Sequence, residues 1–122
     1  MKSEGLSLIF FKDITKDGWD KITNDFDITI NYTSWFLNYI EVLNDGTKIQ
    51  NFTFLIYKND NPIAIVPLYI ESIDNAWQIS MGQEPVFSPI FCKNFKIKEK
   101  SETLAFILEN VNHLAKKYNC IL

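Results

Sequence analysis

Residues 52–70 read FTFLIYKNDNPIAIVPLYI, and this stretch indicates how the chain folds. Two apolar, β-favouring runs flank the polar segment KNDN at 58–61, and Pro62 opens the second run. Because Asn and Asp tolerate left-handed backbone and bond to their own backbone, we predict a β-hairpin here. The second run is apolar on both faces, which is typical of a strand covered by helices. Pro67 cannot donate to a ladder, so we expect an interruption, a bulge or an edge there.

Strand and helix patterns follow one another on both sides of the hairpin. Short apolar runs predict strands, whereas capping residues precede the segments with helical periodicity. The second helix is apolar around most of its circumference, so we expect it to be enclosed on most sides. In chain order we predict a strand over 6–11, a helix from a cap at Asp13 or Thr15 to 26, a helix from a cap at Thr33 to about 43, the hairpin, a strand over 76–80, a helix from a cap at Ser101 to about 118, and the start of a strand at 120–122.

The last of these helices carries an apolar stripe. At about 100° per residue, its apolar side chains lie within roughly 60° on either side of Val111, whereas Phe106 and His113 fall off the stripe. Three apolar surfaces have to be buried: the stripe on the last helix, the second helix, and both faces of the second hairpin strand. We predict that they pack against one another in a single shared core. Its members are Trp35, Tyr39, Leu43, Ile65, Leu68, Leu104, Leu108, Val111 and Leu114.

Size and composition set the class of protein. The chain has 122 residues, of which 47% are hydrophobic and 15% aromatic, so it has the material for one domain with a packed core. The net charge of −3 argues against a general nucleic-acid binder. The sequence contains no Arg, so a bidentate guanidinium clamp for phosphate or carboxylate is excluded, and only Lys can supply positive charge.

The cysteines and the lengths of the apolar runs indicate the cellular compartment of the protein. Cys92 and Cys120 lie far apart and match no zinc or C-x-x-C spacing, so we interpret them as two reduced thiols in a cytoplasmic protein. The apolar run near the N-terminus is too short for a signal peptide. No stretch approaches the roughly 20 apolar residues that a membrane span needs. We therefore predict a cytoplasmic protein without a membrane span and without a metal site.

Candidate site residues concentrate in the longest irregular stretch, 81–100. Glu84 follows a strand and is the carboxylate best placed to act as a general base if this loop lines a cleft. Gln83 and Ser88 flank it as candidate substrate-binding residues, although spacing identifies no histidine partner for a serine nucleophile. Lys98 and Lys100 precede a helix N-terminus, where anions bind. The alternative is a surface loop followed by a solvated linker, in which Glu99 and Glu102 dilute the positive charge of the lysines.

The order β-α-α-β-β-β-α-β resembles the first half of the GNAT acyltransferase fold. Local sequence is similar to the N-terminal part of the FemAB-like group, which includes the peptidoglycan-bridge aminoacyltransferases. The matching segments are TSWFL at 33–37, PIAIVPLY at 62–69, Gly82 with Pro85 and SPIF at 88–91, and AKKY at 115–118. The resemblance implies an α+β fold, with a partial, mostly antiparallel sheet packed with about three helices. It also implies that residues 1–122 form one half-domain of a longer protein.

The resemblance also sets expectations for function. It implies the N-terminal part of an acyl- or aminoacyl-transferase that is not catalytically complete on its own. GNAT enzymes usually hold the coenzyme A pyrophosphate with a Gln/Arg-x-x-Gly-x-Gly/Ala loop, and residues 83–88, QEPVFS, have no such glycines. We therefore expect no cofactor in this chain, with acyl-CoA or aminoacyl-tRNA as the donor for the full-length protein. The expected partners are the missing C-terminal half and a second copy of the chain.

A small non-catalytic interaction module is the alternative. If residues 120–122 open a strand, that strand is too short to complete its sheet, and exposed edges recruit other strands. Such a module would form a homodimer through this C-terminal edge. The reading frame beyond Leu122 discriminates the two hypotheses, since continuation into strand, helix and strand favours the transferase.

Overall fold

The computed structural model describes residues 5–24, 26, 32–43, 49–73, 76–80, 89–93 and 95–120. Within them the chain is an α+β protein with antiparallel sheets and three α-helices, as the sequence predicts. In chain order the elements are β1 Leu6–Phe10, α1 Lys16–Thr23, α2 Ser34–Leu43, β2 Ile49–Asn51, β3 Phe54–Lys58, β4 Asn61–Val66, β5 Tyr69–Ile73, β6 Ala76–Ser80, β7 Ile90–Phe91 and α3 Lys100–Lys117, with single 3₁₀ turns at Phe11–Asp13 and Ile97–Glu99.

The predicted hairpin is present and is longer than the sequence indicates. β3 pairs with β4 around a two-residue turn, in which Lys58 faces Asn61 and Asn59 has a φ of 57°. The left-handed conformation at Asn59 is one that Asn tolerates well. β2 and β5 then pair in the register that β3 and β4 begin, apart from one shift between Ile56 and Tyr57. A single long hairpin from 49 to 73 therefore organises the molecule.

Pro67 interrupts the hairpin, as predicted. β4 ends at Val66 and β5 begins at Tyr69. At the break, the backbone N–H of Leu68 donates to Thr53 Oγ1 over 3.2 Å, and the Thr53 carbonyl accepts the N–H of Phe11 over 2.7 Å. β4 has β7 as its outer neighbour, whereas β5 has β6. Pro67 lies between β4 and β5, so its missing N–H falls between two hydrogen-bonded ladders.

The break divides the hairpin between two antiparallel sheets, where the sequence predicted one. The first has the strand order β1-β3-β4-β7 and the second the order β2-β5-β6. The strand predicted over 76–80, after the hairpin, is confirmed as β6, which pairs with β5. The short β7 was not predicted, because it lies inside the stretch 81–100, whose glycine and prolines indicate irregular structure.

Helices cover both faces of the hairpin, as its doubly apolar strand predicts. Ala64, Ile65 and Val66 are all fully buried, although neighbours in a strand point to opposite faces. Ile65 belongs to a cluster with residues of α1 and α2, and Ala64 and Val66 to a cluster with residues of α3. The first cluster comprises Phe11, Trp19, Phe26, Tyr32, Leu37, Leu55, Ile65 and Tyr69, and the second Phe52, Phe54, Ile56, Ala64, Val66, Leu68, Ile70, Ile107 and Leu114.

The predicted single core is therefore wrong. Ile65 and Leu68 lie in different clusters, on opposite faces of the hairpin. Trp35 and Tyr39 are 62% and 43% exposed, because α2 packs against the sheet through the fully buried Leu37 instead. The expectation that α2 is enclosed on most sides is likewise wrong, and the side chain of Leu43 lies outside the described residues.

The predicted stripe on α3 is rotated in the structure. Thr103, Ile107 and Leu114 are buried, whereas Leu108 is 62% and Leu104 37% exposed. On the helical wheel, the buried face is turned by roughly 50° from the predicted centre at Val111. Val111 packs at its border, while Phe106, which was predicted to lie off the stripe, is half-buried against the second cluster.

Caps show where local sequence was interpreted correctly and where it was not. Thr15 caps α1 by accepting the Gly18 N–H over 3.0 Å, and Thr33 Oγ1 lies 3.4 Å from the Phe36 nitrogen at the start of α2. Ser101 does not cap α3, because the helix begins at Lys100 and Glu99, two residues before Ser101, stands at the N-cap position. The Thr103 hydroxyl instead donates to the Glu99 carbonyl over 2.9 Å.

Cys120 belongs to the end of α3 and not to a strand. Its N–H donates to the Ala115 carbonyl over 2.7 Å, and the N–H of Asn119 donates to the Lys116 carbonyl over 3.3 Å. With Asn119 at a φ of 55°, these bonds form a Schellman motif. The predicted strand therefore does not begin at Cys120, and residues 121–122 lie outside the described residues.

Candidate functional site

The structure tests only part of the predicted site. Gln83, Glu84 and Ser88 lie in the segment 81–88, which is outside the described residues. Lys98 and Lys100 are described, and both side chains are exposed at the start of α3. His113 is exposed on the same helix, as predicted.

An acidic side chain occupies the helix N-terminus that was predicted to bind an anion. Glu99 stands at the N-cap position of α3 and forms an ion pair with Lys58 at the hairpin turn. The hydrogen bond to Lys58 lowers the pKa of the Glu99 carboxyl, and the same bond raises the pKa of Lys58. The Glu99 carboxylate makes no capping hydrogen bond to the helix and is engaged by Lys58 instead. The anion site at Lys98 and Lys100 stays a prediction.

Four polar side chains on one face of the second sheet were not recognised from sequence. Asn51 faces Tyr69 across β2 and β5, and Glu71 faces Gln78 across β5 and β6. Tyr69 belongs to the cluster beneath α1 and α2, so residues two positions away share its face. Asn51, Tyr69 and Glu71 are buried and Gln78 is half-buried. We call these four residues the polar row.

Part of the polar row stabilises the hairpin break. Asn51 Oδ1 accepts the backbone N–H of Thr53 over 2.9 Å, which orders the chain between β2 and β3. Its burial also closes Asn51 to glycosylation in the folded protein, although 51–53 has the acceptor pattern. Glu71 is the carboxylate of the row, and buried carboxylates are uncommon outside functional or paired settings. A charged residue inside the apolar run 68–73 is the sequence signal that points to it.

The polar row reaches the end of β6. Ser80 is the last residue of β6 and pairs with Tyr69 of β5. The segment 81–88, which contains Glu84, follows β6 directly in sequence. Carboxyl, phenol and amide groups together can bind and orient a polar substrate and transfer its protons.

A surface groove lies between α1 and α2, on the outer side of these helices. Its volume is about 380 Å³, and its lining residues are Lys16, Asp17, Asp20, Ser34, Trp35, Asn38 and Tyr39. Asp20 of α1 accepts the Ser34 backbone N–H over 3.0 Å and its hydroxyl over 2.6 Å. These two bonds fix the wall of the groove. We call this feature the α1–α2 groove.

The described residues offer no metal-binding group, and the Cys120 thiol is a weak nucleophile. Within them, no three His, Cys, Asp or Glu side chains are grouped as a metal site requires. Cys92 and Cys120 are free and partly buried, and burial raises the pKa of the Cys120 thiol. A raised pKa lowers the fraction of thiolate, which is the nucleophilic form.

Comparison with known proteins gives no relative: no family model, curated protein or solved structure matches this chain. In the part of the chain that the structure describes, no helix is long and apolar enough to cross a membrane.

Proposed function

We propose that this chain is the N-terminal part of an acyl- or aminoacyl-transferase of the GNAT/FemAB-like type, and that it is not catalytically complete on its own. The observation that carries the proposal is the arrangement of helices around the long hairpin. α1 and α2 precede the hairpin in sequence and cover one of its faces. α3 follows β6 and β7 and covers the other face. If β2 and β3 count as one strand and β4 and β5 as another, the order agrees with the one on which the resemblance rests from β1 to β6 and in the helix that follows; β7 is additional, and the described residues after α3 form no strand.

The polar row supports a site on the α1–α2 side of the sheet. In this proposal Glu71 is the base that takes the proton which the acceptor amine loses as it attacks the acyl carbonyl, and coenzyme A or tRNA leaves with its thiol or hydroxyl restored by a proton. Tyr69 and Gln78 hold the substrate. The donor, acyl-CoA or aminoacyl-tRNA, is held mainly by the missing half. This chain has neither a guanidinium group nor a glycine loop for the donor's phosphates.

The first test compares residues 1–122 with the protein translated from the reading frame extended beyond Leu122. Both are incubated with labelled acyl-CoA or charged tRNA and a primary amine acceptor, and labelled amide is quantified. We expect transfer from the extended protein only, and no micromolar binding of coenzyme A to residues 1–122 by calorimetry. If the extended protein transfers the label from neither acyl-CoA nor charged tRNA, the transferase proposal is overturned. Micromolar binding of coenzyme A to residues 1–122 would overturn the claim that the chain is incomplete.

The second test addresses the polar row. Glu71→Gln in the extended protein should lower transfer by about 10²-fold, the range that general acid–base groups supply, and Tyr69→Phe should weaken substrate binding. His113→Ala, an exposed change on α3, is the matched control and should leave transfer unchanged. Thermal melting of each variant separates loss of chemistry from loss of fold. Full activity in Glu71→Gln would remove the polar row from the proposed site.

The interaction module remains the alternative function. In the described residues β6 stands at one end of the second sheet and β2 at the other, so the sheet has edges that another chain could extend. Sedimentation at matched concentrations distinguishes the two functions. A homodimer of residues 1–122 that dissociates on extension favours the transferase, whereas a dimer that persists on extension favours the module.

A further inference from the structure

Trp35 and Tyr39 form an exposed aromatic pair on the outer face of α2. Their ring planes are parallel within 4°, and their centroids are 5.4 Å apart. Trp35 is 62% and Tyr39 43% exposed, so much of their ring surface is open to solvent. Residues four apart on a helix are neighbours, which explains the stacking. Core packing does not explain why these two positions carry aromatic residues, because α2 packs against the core through Leu37.

The aromatic pair forms one side of the α1–α2 groove, and the other side is acidic. Asp17 and Asp20 contribute two carboxylates, against one ammonium group from Lys16. Asp20 is held in place by its two hydrogen bonds to Ser34. Carboxylates next to aromatic faces make a site that favours a cation, because the ring quadrupole presents its negative face to the ligand.

From this charge complementarity we propose that the α1–α2 groove binds an arginine side chain from a basic segment of a partner protein. A planar guanidinium stacks on the open face of Trp35 while its N–H groups donate to the carboxylates of Asp17 and Asp20. Lysine fits less well, since its compact ammonium is more strongly hydrated and does not stack. The arginine has to come from a partner, because this chain contains none. The proposal does not depend on the transferase function.

The test uses the indole N–H signals of the three tryptophans in a ¹H–¹⁵N NMR spectrum. The probe is the peptide acetyl-Gly-Arg-Gly-Arg-Gly-amide, compared with its lysine and citrulline analogues. Citrulline keeps the planar shape of arginine and lacks the charge. We expect the arginine peptide to shift the Trp35 signal in a saturable manner. The buried Trp19 and the more distant Trp77 are internal references and should not shift.

Variants of the groove assign the binding to named groups. Trp35→Leu keeps an apolar side chain without the π face, and should weaken binding about fivefold, as followed by the backbone amides around the groove. Asp17→Asn should weaken it about two- to fivefold. His113→Ala, on α3, is the control and should bind as the wild type does. Because all three side chains are exposed, these variants should retain the fold.

Three outcomes would overturn the proposal. Equal affinity for the citrulline peptide would show that the groove does not select charge. Unchanged affinity in Trp35→Leu would show that the peptide binds elsewhere. A Trp35 shift that depends on protein concentration, without added peptide, would show that a second copy of the chain occupies the groove.

Discussion

Asp20 joins the two helices that cover one face of the hairpin. Its carboxylate accepts the backbone N–H and the hydroxyl of Ser34, so α1 supplies a cap to the first turn of α2. Helix N-termini leave N–H groups unsatisfied, and a carboxylate also opposes the positive end of the helix dipole. A residue 14 positions away in sequence thus completes a cap that local residues do not provide alone.

Removal of this cap should destabilise the protein. Asp20→Ala is expected to lower the free energy of unfolding by about 1 kcal/mol, because two charge-assisted hydrogen bonds to Ser34 are lost. Asp17→Asn is the matched control on the same helix and should cost at most about 0.5 kcal/mol. Urea unfolding monitored by circular dichroism measures both. Equal losses in the two variants would show that the contact with Ser34 contributes nothing.

The Lys58–Glu99 ion pair makes stability depend on pH. Because the pKa of Glu99 is lowered in the folded state, the unfolded state binds more protons in acid, and stability falls as pH falls. The contribution is complete above the ordinary carboxyl pKa of 4.5 and is lost as pH drops through the lowered value. The raised pKa of Lys58 acts at the other end, where the contribution is lost as pH rises above 10.5.

The expected result concerns Glu99→Gln. Between pH 6 and 8 this variant should be less stable than the wild type by a constant amount, and the difference should shrink as pH falls below about 4.5. Both side chains are partly exposed, so added salt should also reduce the difference. Urea unfolding across this pH range measures it. A difference that stays constant into strong acid would contradict the prediction.

At the scale of elements, the rotation of α3 about its axis determines which of its apolar residues are buried. Its apolar residues span a wide arc, so several rotations hide a similar amount of apolar surface. The structure selects the rotation that buries Thr103, Ile107 and Leu114 and leaves Leu108 exposed. Because Thr103 satisfies its hydroxyl on the Glu99 carbonyl, this polar residue is buried at little cost.

Two adjacent residues test this rotation directly. Ile107→Ala should lower the free energy of unfolding by about 2–4 kcal/mol, because it leaves a cavity in the second cluster. Leu108→Ala removes a side chain of similar size that is 62% exposed, and should cost less than about 1 kcal/mol. Denaturant midpoints at constant slope provide the comparison. The reverse order of the two losses would restore the predicted stripe centred on Val111.

At the scale of the whole molecule, two clusters share one hairpin. Alternate residues of the same strands point into each cluster, as Leu55 does on one face and Phe54 and Ile56 do on the other. Loss of either cluster exposes one face of every strand in the hairpin. We therefore expect the clusters to unfold together, in one cooperative transition.

Variants in each cluster test this coupling. Leu37→Ala in the first cluster and Ile107→Ala in the second should each shift the transition seen by tryptophan fluorescence and the transition seen by circular dichroism by the same amount. Their losses should add in the double variant within about 0.5 kcal/mol, because the two residues lie on opposite faces and share no contact. Separate transitions for the two probes would mean that each cluster unfolds independently.

The candidate site was harder to predict than the fold. Glu84 was selected because it follows a strand, and that argument needs only neighbours in sequence. The polar row instead joins Asn51, Tyr69 and Gln78 through strand register, which no single stretch encodes. The α1–α2 groove escaped prediction for a similar reason. Trp35 and Tyr39 have the spacing of a core stripe, and only the position of the sheet shows that they face solvent.

The sequence by itself determined the features that neighbouring residues encode. Asn59 and Asp60 form the turn, Pro67 breaks the strand, Thr15 starts α1, and the run of apolar residues after Ala64 requires cover on both faces. The tertiary structure alone decided the division into two sheets, the rotation of α3 and the exposure of Trp35. Turns and caps depend on the energies of a few adjacent residues, whereas the face that a helix buries depends on the shape of the partner it meets.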